Sequence, residues 1–129
     1  MNELKEKLNT AMILITHDLG VVAEFCEKVV VVYAGEVIEQ GTVEDIFTRK
    51  KNHPYTQGLF NSIPDLTSTV ERLIPIPGFM SDPTDLPAGC KFADRCSRCM
   101  DRCRKTAPPV YTEGSHSIRC YLYDEKGGE

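Results

Sequence analysis

The sequence predicts an α/β chain, a short sheet with helices, that runs on into an irregular cysteine-rich, metal-binding tail. Three observations point there. Two unbroken apolar runs, AMILIT (11–16) and VVVVY (29–33), have the length and composition of strands buried on both faces of a parallel sheet. The text between them, HDLGVVAEFCEK, reads as a helix. Finally, GCKFADRCSRCMDRC (89–103) gathers four of the six cysteines, and Cys120 follows.

The elements can be justified in order. MNELKEKLNT sets Leu4 and Leu8 four residues apart among charges, which suits a short exposed helix. The strand over 11–16 leads to His17, and Asp18 suits the start of the next helix, where a carboxylate meets unpaired N–H groups. The second strand, 29–33, is followed by Ala34-Gly35 and EVIEQG, a hairpin with Gly35 supplying the turn. Strand, helix and strand in this order form a right-handed crossover. Thr42 is an N-cap with Asp45 three residues on, a capping-box pattern. HPYTQGLFNSI is a further short helix with Pro54 in its first turn. Pro64, Pro75, Pro77, Pro83 and Pro87 then break any regular pattern. The expected organisation is therefore an α/β unit over 1–63, a proline-rich connector over 64–88, a cysteine module over 89–123 and a frayed tail over 124–129.

Bulk composition narrows the class. At 129 residues, with 41% hydrophobic and 26% charged residues, the chain has the make-up of one soluble globular domain. The formal charge of −4 gives no electrostatic footprint for nucleic acid. Locally, however, Lys91, Arg95, Arg98, Arg102, Arg104 and Lys105 outnumber Asp94 and Asp101 around the cysteines. There is no membrane-length apolar run and no signal-peptide core. The expected compartment is the cytosol, where thiols stay reduced and a dense cysteine set reads as a metal site rather than a disulfide framework.

The spacing Cys90-x5-Cys96-x2-Cys99-x3-Cys103-x16-Cys120 allows four thiolates to converge. Either a tetrahedral zinc or a [4Fe–4S] cluster takes four such ligands, and the nearby cations would offset the negative charge they create. The residues alone leave zinc, iron–sulfur and disulfide or redox thiols open. With few apolar residues after Gly89, any metal would form part of this module's folding free energy. Cys26, among Ala23, Phe25 and Val29, reads as a plain core residue, and His53 as a structural residue at a helix start. His116, four residues before Cys120, is a donor behind the ligands, an alternative ligand, or a surface histidine.

ITHDLGVVAEFCEKVVVVYAGEVIEQG, the HPYT of Asn52 to Thr56, and IPGFMSDPTDLPAGCKFADRC together resemble the C-terminal part of ABC-transporter ATPase subunits of the dipeptide, oligopeptide and nickel importers. The resemblance covers essentially the whole chain. It implies that the fold is the end of an ABC nucleotide-binding domain, and that His17 is the switch histidine that contacts the γ-phosphate of ATP. It also implies a [4Fe–4S] cluster on Cys90, Cys96, Cys103 and Cys120, with Cys99 an additional thiol that leaves the ligand set open by one and zinc the alternative metal. The implied partners are transmembrane permease subunits and a second ATPase subunit, and the implied location is the inner face of the cell membrane.

The pattern has gaps. The sequence contains no GxxxxGK[ST] phosphate loop, no LSGGQ signature and no acidic strand end for Mg²⁺. ATP and Mg²⁺ would belong to a longer parent, and the chain alone is expected not to hydrolyse ATP. A strand over 11–16 without its sheet is expected to pair with another copy, giving a homodimer. Two other classes compete: a free-standing zinc module that binds protein or nucleic acid, and a thiol–disulfide oxidoreductase using Cys96 and Cys99. The second lacks the usual setting, because its pair does not open a helix after a strand.

Overall fold

The computed structural model describes residues 2–48, 51–62, 75–80 and 82–124. Much of the proline-rich connector lies outside the described residues, and its described parts contain neither helix nor strand.

Local chemistry sets most element boundaries. Helix α1 spans Asn2–Leu8 and α2 spans Leu19–Phe25. The Asp18 carboxylate caps α2 by accepting from the N–H groups of Gly20 and Val21. Strands β1 (Lys28–Tyr33) and β2 (Glu36–Thr42) form the expected hairpin. Its two turn residues, Ala34 and Gly35, both have positive φ, 48° and 81°, the turn whose twist matches antiparallel strands. Thr42 and Asp45 close a reciprocal capping box at the start of α3 (Val43–Phe47). His53 caps α4 (Pro54–Asn61), with Pro54 in its first turn.

The predicted strand at 11–16 does not form. Residues 11–16 have no regular structure, and Ile13 and Ile15 are each 94% exposed. The predicted parallel crossover is accordingly absent. A parallel strand gains its hydrogen bonds only from a neighbour on the sheet, and no described strand pairs with 11–16.

The sheet is instead four-stranded and antiparallel, in the order β1-β2-β4-β3. Strands β3 (Tyr111–Glu113) and β4 (His116–Ile118) come from the cysteine-rich region, so this tail is not wholly irregular. β4 pairs with Glu39 and Gln40 of β2. A helical turn at Asp101–Lys105, α5, completes the region together with two short 3-10 turns.

One face of the sheet is covered. Val31, Tyr33, Ile38 and Phe92 form the core, with Tyr55, Leu59, Ile76, Cys90 and Cys96 packed against it. Phe92 meets Tyr33 edge-on at 5.2 Å, and Tyr33 lies 4.7 Å from Tyr55. The core and the cysteines therefore share a wall. On the opposite face Val30, Val32 and Val37 are about half exposed.

Candidate functional site

The cysteine cavity is built by short segments that converge from separated points in the chain. Cys90, Cys96, Cys99, Cys103 and Cys120 all line it, together with His53, Phe92, Arg98 and Leu122. Its free volume is about 10 Å³, room for about one water. All six cysteines are free thiols. No three His, Cys, Asp or Glu side chains among the described residues are arranged to hold a single metal ion.

Backbone contacts fix the thiols. The Cys90 N–H donates to the Cys103 carbonyl at 2.7 Å, tying the start of the module to α5. This approach requires Gly89: a Cβ there would lie 2.0 Å from the Cys103 carbonyl oxygen. The Met100 N–H faces the Cys103 sulfur at 3.4 Å, and the Cys99 N–H donates to the Cys96 carbonyl at 3.3 Å. Burial raises the thiol pKa at Cys90, Cys96 and Cys99, and neighbouring cysteines add to the effect. Cys120 is pushed furthest, to about 12, mainly by burial. Arg98 and Arg104 act in the opposite direction on Cys96 and Cys99 respectively. A cation bound in the cavity would have to displace these protons.

The local basic cluster is largely committed within the chain. Arg95 donates to the carbonyls of Ile76 and Pro77, holding the connector, and Arg104 pairs with Asp94 at 2.6 Å. Arg102 pairs with Asp124 and lies 4.4 Å over the Tyr121 ring.

Behind the cavity lies a residue that the sequence reading missed. Glu39 is 1% exposed. Its Oε1 accepts from Asn52 Nδ2 at 2.8 Å and lies 2.7 Å from His116 Nε2, while Oε2 accepts the His53 backbone N–H at 3.0 Å. One carboxylate thus joins β2, the cap of α4 and β4. Simple alternation through EVIEQG does not reveal this. Ile38 and Glu39 are both buried because the register shifts opposite Val31 and Val32, inserting an extra residue. Of the three readings of His116, the structure places it against Glu39 rather than in the cavity wall.

His53 is at once structural and part of the cavity. It is 1% exposed, and its Nδ1 accepts the Tyr55 N–H at 3.1 Å. Burial lowers its pKa to about 4, so the ring is neutral at pH 7. With Nδ1 accepting, the ring proton lies on Nε2. That atom is buried and has no hydrogen-bond partner among the described residues.

His17 stands apart. It is exposed, precedes the α2 cap and does not line the cysteine cavity. Cys26, at the C-terminal end of α2, is half-buried and separate from the other five thiols.

Comparison with known proteins agrees with the resemblance read from the motifs. A family model described as the oligopeptide/dipeptide transporter C-terminal region matches residues 38–103, just over half of the chain. The chain is 45% identical over 130 residues to the oligopeptide transport ATP-binding protein AppD of Bacillus subtilis (strain 168), covering 100% of this chain and 39% of that protein. It is 46% identical to OppD of Haemophilus influenzae, covering 98% of this chain and 39% of the relative. With OppD of Salmonella typhimurium it shares 47% identity, over 85% of this chain and 32% of the relative. The chain spans about two fifths or less of the length of these relatives. The matched residues include the HPYT cap, Ile38 and Phe92 of the core and four of the five cavity cysteines, and the chain belongs to the oligopeptide/dipeptide transporter C-terminal family.

Proposed function

We propose that this chain is the C-terminal part of the ATP-hydrolysing subunit of an ABC importer for peptides or nickel, and that its cysteine cavity holds a [4Fe–4S] cluster. Similarity to subunits named as oligopeptide transport ATP-binding proteins supports the first part. In the longer protein, His17 would sense the γ-phosphate. Its exposed position leaves its ring accessible to a nucleotide bound by other parts of such a protein. Alone, the chain has no phosphate loop and would not hydrolyse ATP. Partners would be permease subunits and a second ATPase subunit, and the location the inner face of the cell membrane. No helix of the described residues is long and apolar enough to cross a membrane. The exposed run at 11–16 supports pairing of the isolated chain with a second copy.

The observation that carries the cluster reading is the convergence of five thiols on one cavity. The donor chemistry fits an all-thiolate group, with Cys90, Cys96, Cys103 and Cys120 as ligands and Cys99 a fifth donor. The free space is small, so the thiols would have to turn outward to admit a cluster. Zinc on the same cysteines is the alternative. When bound, a cluster would cross-link the segments of the module and supply a one-electron redox centre. The chain's own part is to hold the donors together, exclude water with Phe92 and Leu122, and release their protons.

The test is metal and sulfide analysis on protein purified and reconstituted without oxygen. Iron and acid-labile sulfide near four each per chain is the expected result. About one zinc and no colour would replace the cluster with a structural clip. Neither metal, with cysteines paired, would overturn both metal readings.

A further inference from the structure

We propose that the buried Nε2–H of His53 donates a hydrogen bond to sulfur in the group that the cysteine cavity holds, and so makes that group easier to reduce. The inference rests on the cluster reading above and gives a role to a residue that otherwise reads as a helix cap.

The argument starts from an unsatisfied atom. A buried N–H without a partner is costly, and native structures rarely leave one unused. His53 lines the cysteine cavity, and its Nδ1 is occupied by the Tyr55 N–H. Nε2 is the remaining polar atom of the ring, and it has no partner among the described residues. No other histidine serves here, because His116 is engaged by Glu39 and His17 is exposed and does not line the cavity. The cysteine sulfurs are the acceptors characteristic of this cavity, and sulfur in thiolate or sulfide form is a far better acceptor than a thiol. Reduction adds negative charge to those sulfurs. A fixed neutral donor therefore stabilises the reduced state more than the oxidised one, which is how hydrogen bonds to sulfur set cluster potentials.

Two substitutions separate the two ends of the imidazole. His53→Asn keeps an acceptor where Nδ1 stands, and Asn is among the best N-caps, but it is too short to place a donor at Nε2. His53→Gln carries an amide nitrogen near the Nε2 position. The experiment reconstitutes the full 129-residue chain with iron and sulfide under anaerobic conditions. The cluster is then titrated with dithionite, which supplies the electron, while absorbance is followed. His53→Asn should lower the equilibrium constant for reduction about tenfold, about 59 mV for a one-electron couple, and His53→Gln should recover most of that change. An independent measurement needs no variant: with ¹⁵N-labelled histidine, the reduced cluster's pulsed EPR spectrum should show coupling to a histidine nitrogen.

If wild-type protein loads no iron, the cluster reading fails and this inference falls with it. If wild-type loads normally but His53→Asn has an unchanged potential, the cluster reading stands and the His53 role is overturned; a single water taking the Nε2–H would give that result. Should His53→Asn fail to fold or load, the labelled wild-type spectrum decides, and absence of histidine coupling overturns the proposal.

Discussion

Val31 and Ile13 are both β-branched residues in unbroken apolar runs, yet Val31 is 9% exposed and Ile13 is 94% exposed. The contrast runs through the molecule. From Lys28 onward the chain supplies its own partners: β1 finds β2, β2 finds β4 from the tail, and Phe92 covers the hairpin. Residues 2–27 make two short helices and an apolar run whose partner is not among the described residues. Hydrophobicity gives a segment the capacity to be buried, but only a complementary surface makes burial happen. The cysteine-rich tail, the more polar region, is better integrated because it contributes two strands to the sheet and a wall to the core.

That comparison is open to experiment. The largest effect is expected at Glu39, where one carboxylate serves three elements. Glu39→Ala should cost about 3–5 kcal/mol in urea unfolding, because His116, Asn52 and the His53 N–H lose their acceptor together. A loss under 1 kcal/mol would mean that the tail is held by its backbone pairing alone. Gly89→Ala comes next, at about 3 kcal/mol, since its Cβ would strike a backbone oxygen that cannot rotate away.

A pH effect of similar or smaller size follows from His53. Its pKa falls from 6.5 in a solvated chain to about 4 when folded, so the folded state excludes a proton that the unfolded state accepts. Stability is fully present above pH 6.5 and declines as pH falls from 6.5 towards 4, by on the order of 3 kcal/mol. Comparing melting curves of wild type and His53→Asn across that window isolates the contribution, which should be absent in the variant. The smallest effect on stability is expected in the other region. Ile13→Asp with Ile15→Asp should change unfolding free energy by less than about 0.5 kcal/mol. The same pair should shift sedimentation from dimer to monomer. A wild-type monomer at high concentration would remove the pairing of copies, whereas a large stability loss would show that these isoleucines are buried in solution.

What was legible in the sequence was chemistry completed within a few residues. Asp18 reaches its own helix N-terminus, Thr42 and Asp45 satisfy each other, Gly35 permits its turn, and Pro54 sits where no N–H is needed. None of these depends on a distant segment. The strand expected over 11–16 does not form because a strand needs a paired neighbour, and pairing is not a local property. The inward turn of Glu39 followed from a register shift, which no alternating pattern encodes. Cysteine spacing indicated convergence, and the five thiols do line one cavity. The spacing could not show that His53, far off in sequence, would join them, because that contact is made only when α4 packs beside Phe92.

The aromatic wedge of Tyr33, Tyr55 and Phe92 has an optical consequence. The chain contains five tyrosines and no tryptophan, so its near-ultraviolet emission is tyrosine's alone. Two of those fluorophores sit on the core side of Phe92, whose ring also forms part of the cavity wall. An iron–sulfur chromophore in that cavity would absorb across the tyrosine emission band at close range and extinguish it, whereas zinc, being colourless, would leave it bright. The protein thus carries a built-in lamp whose brightness distinguishes the two metals as each one is taken up.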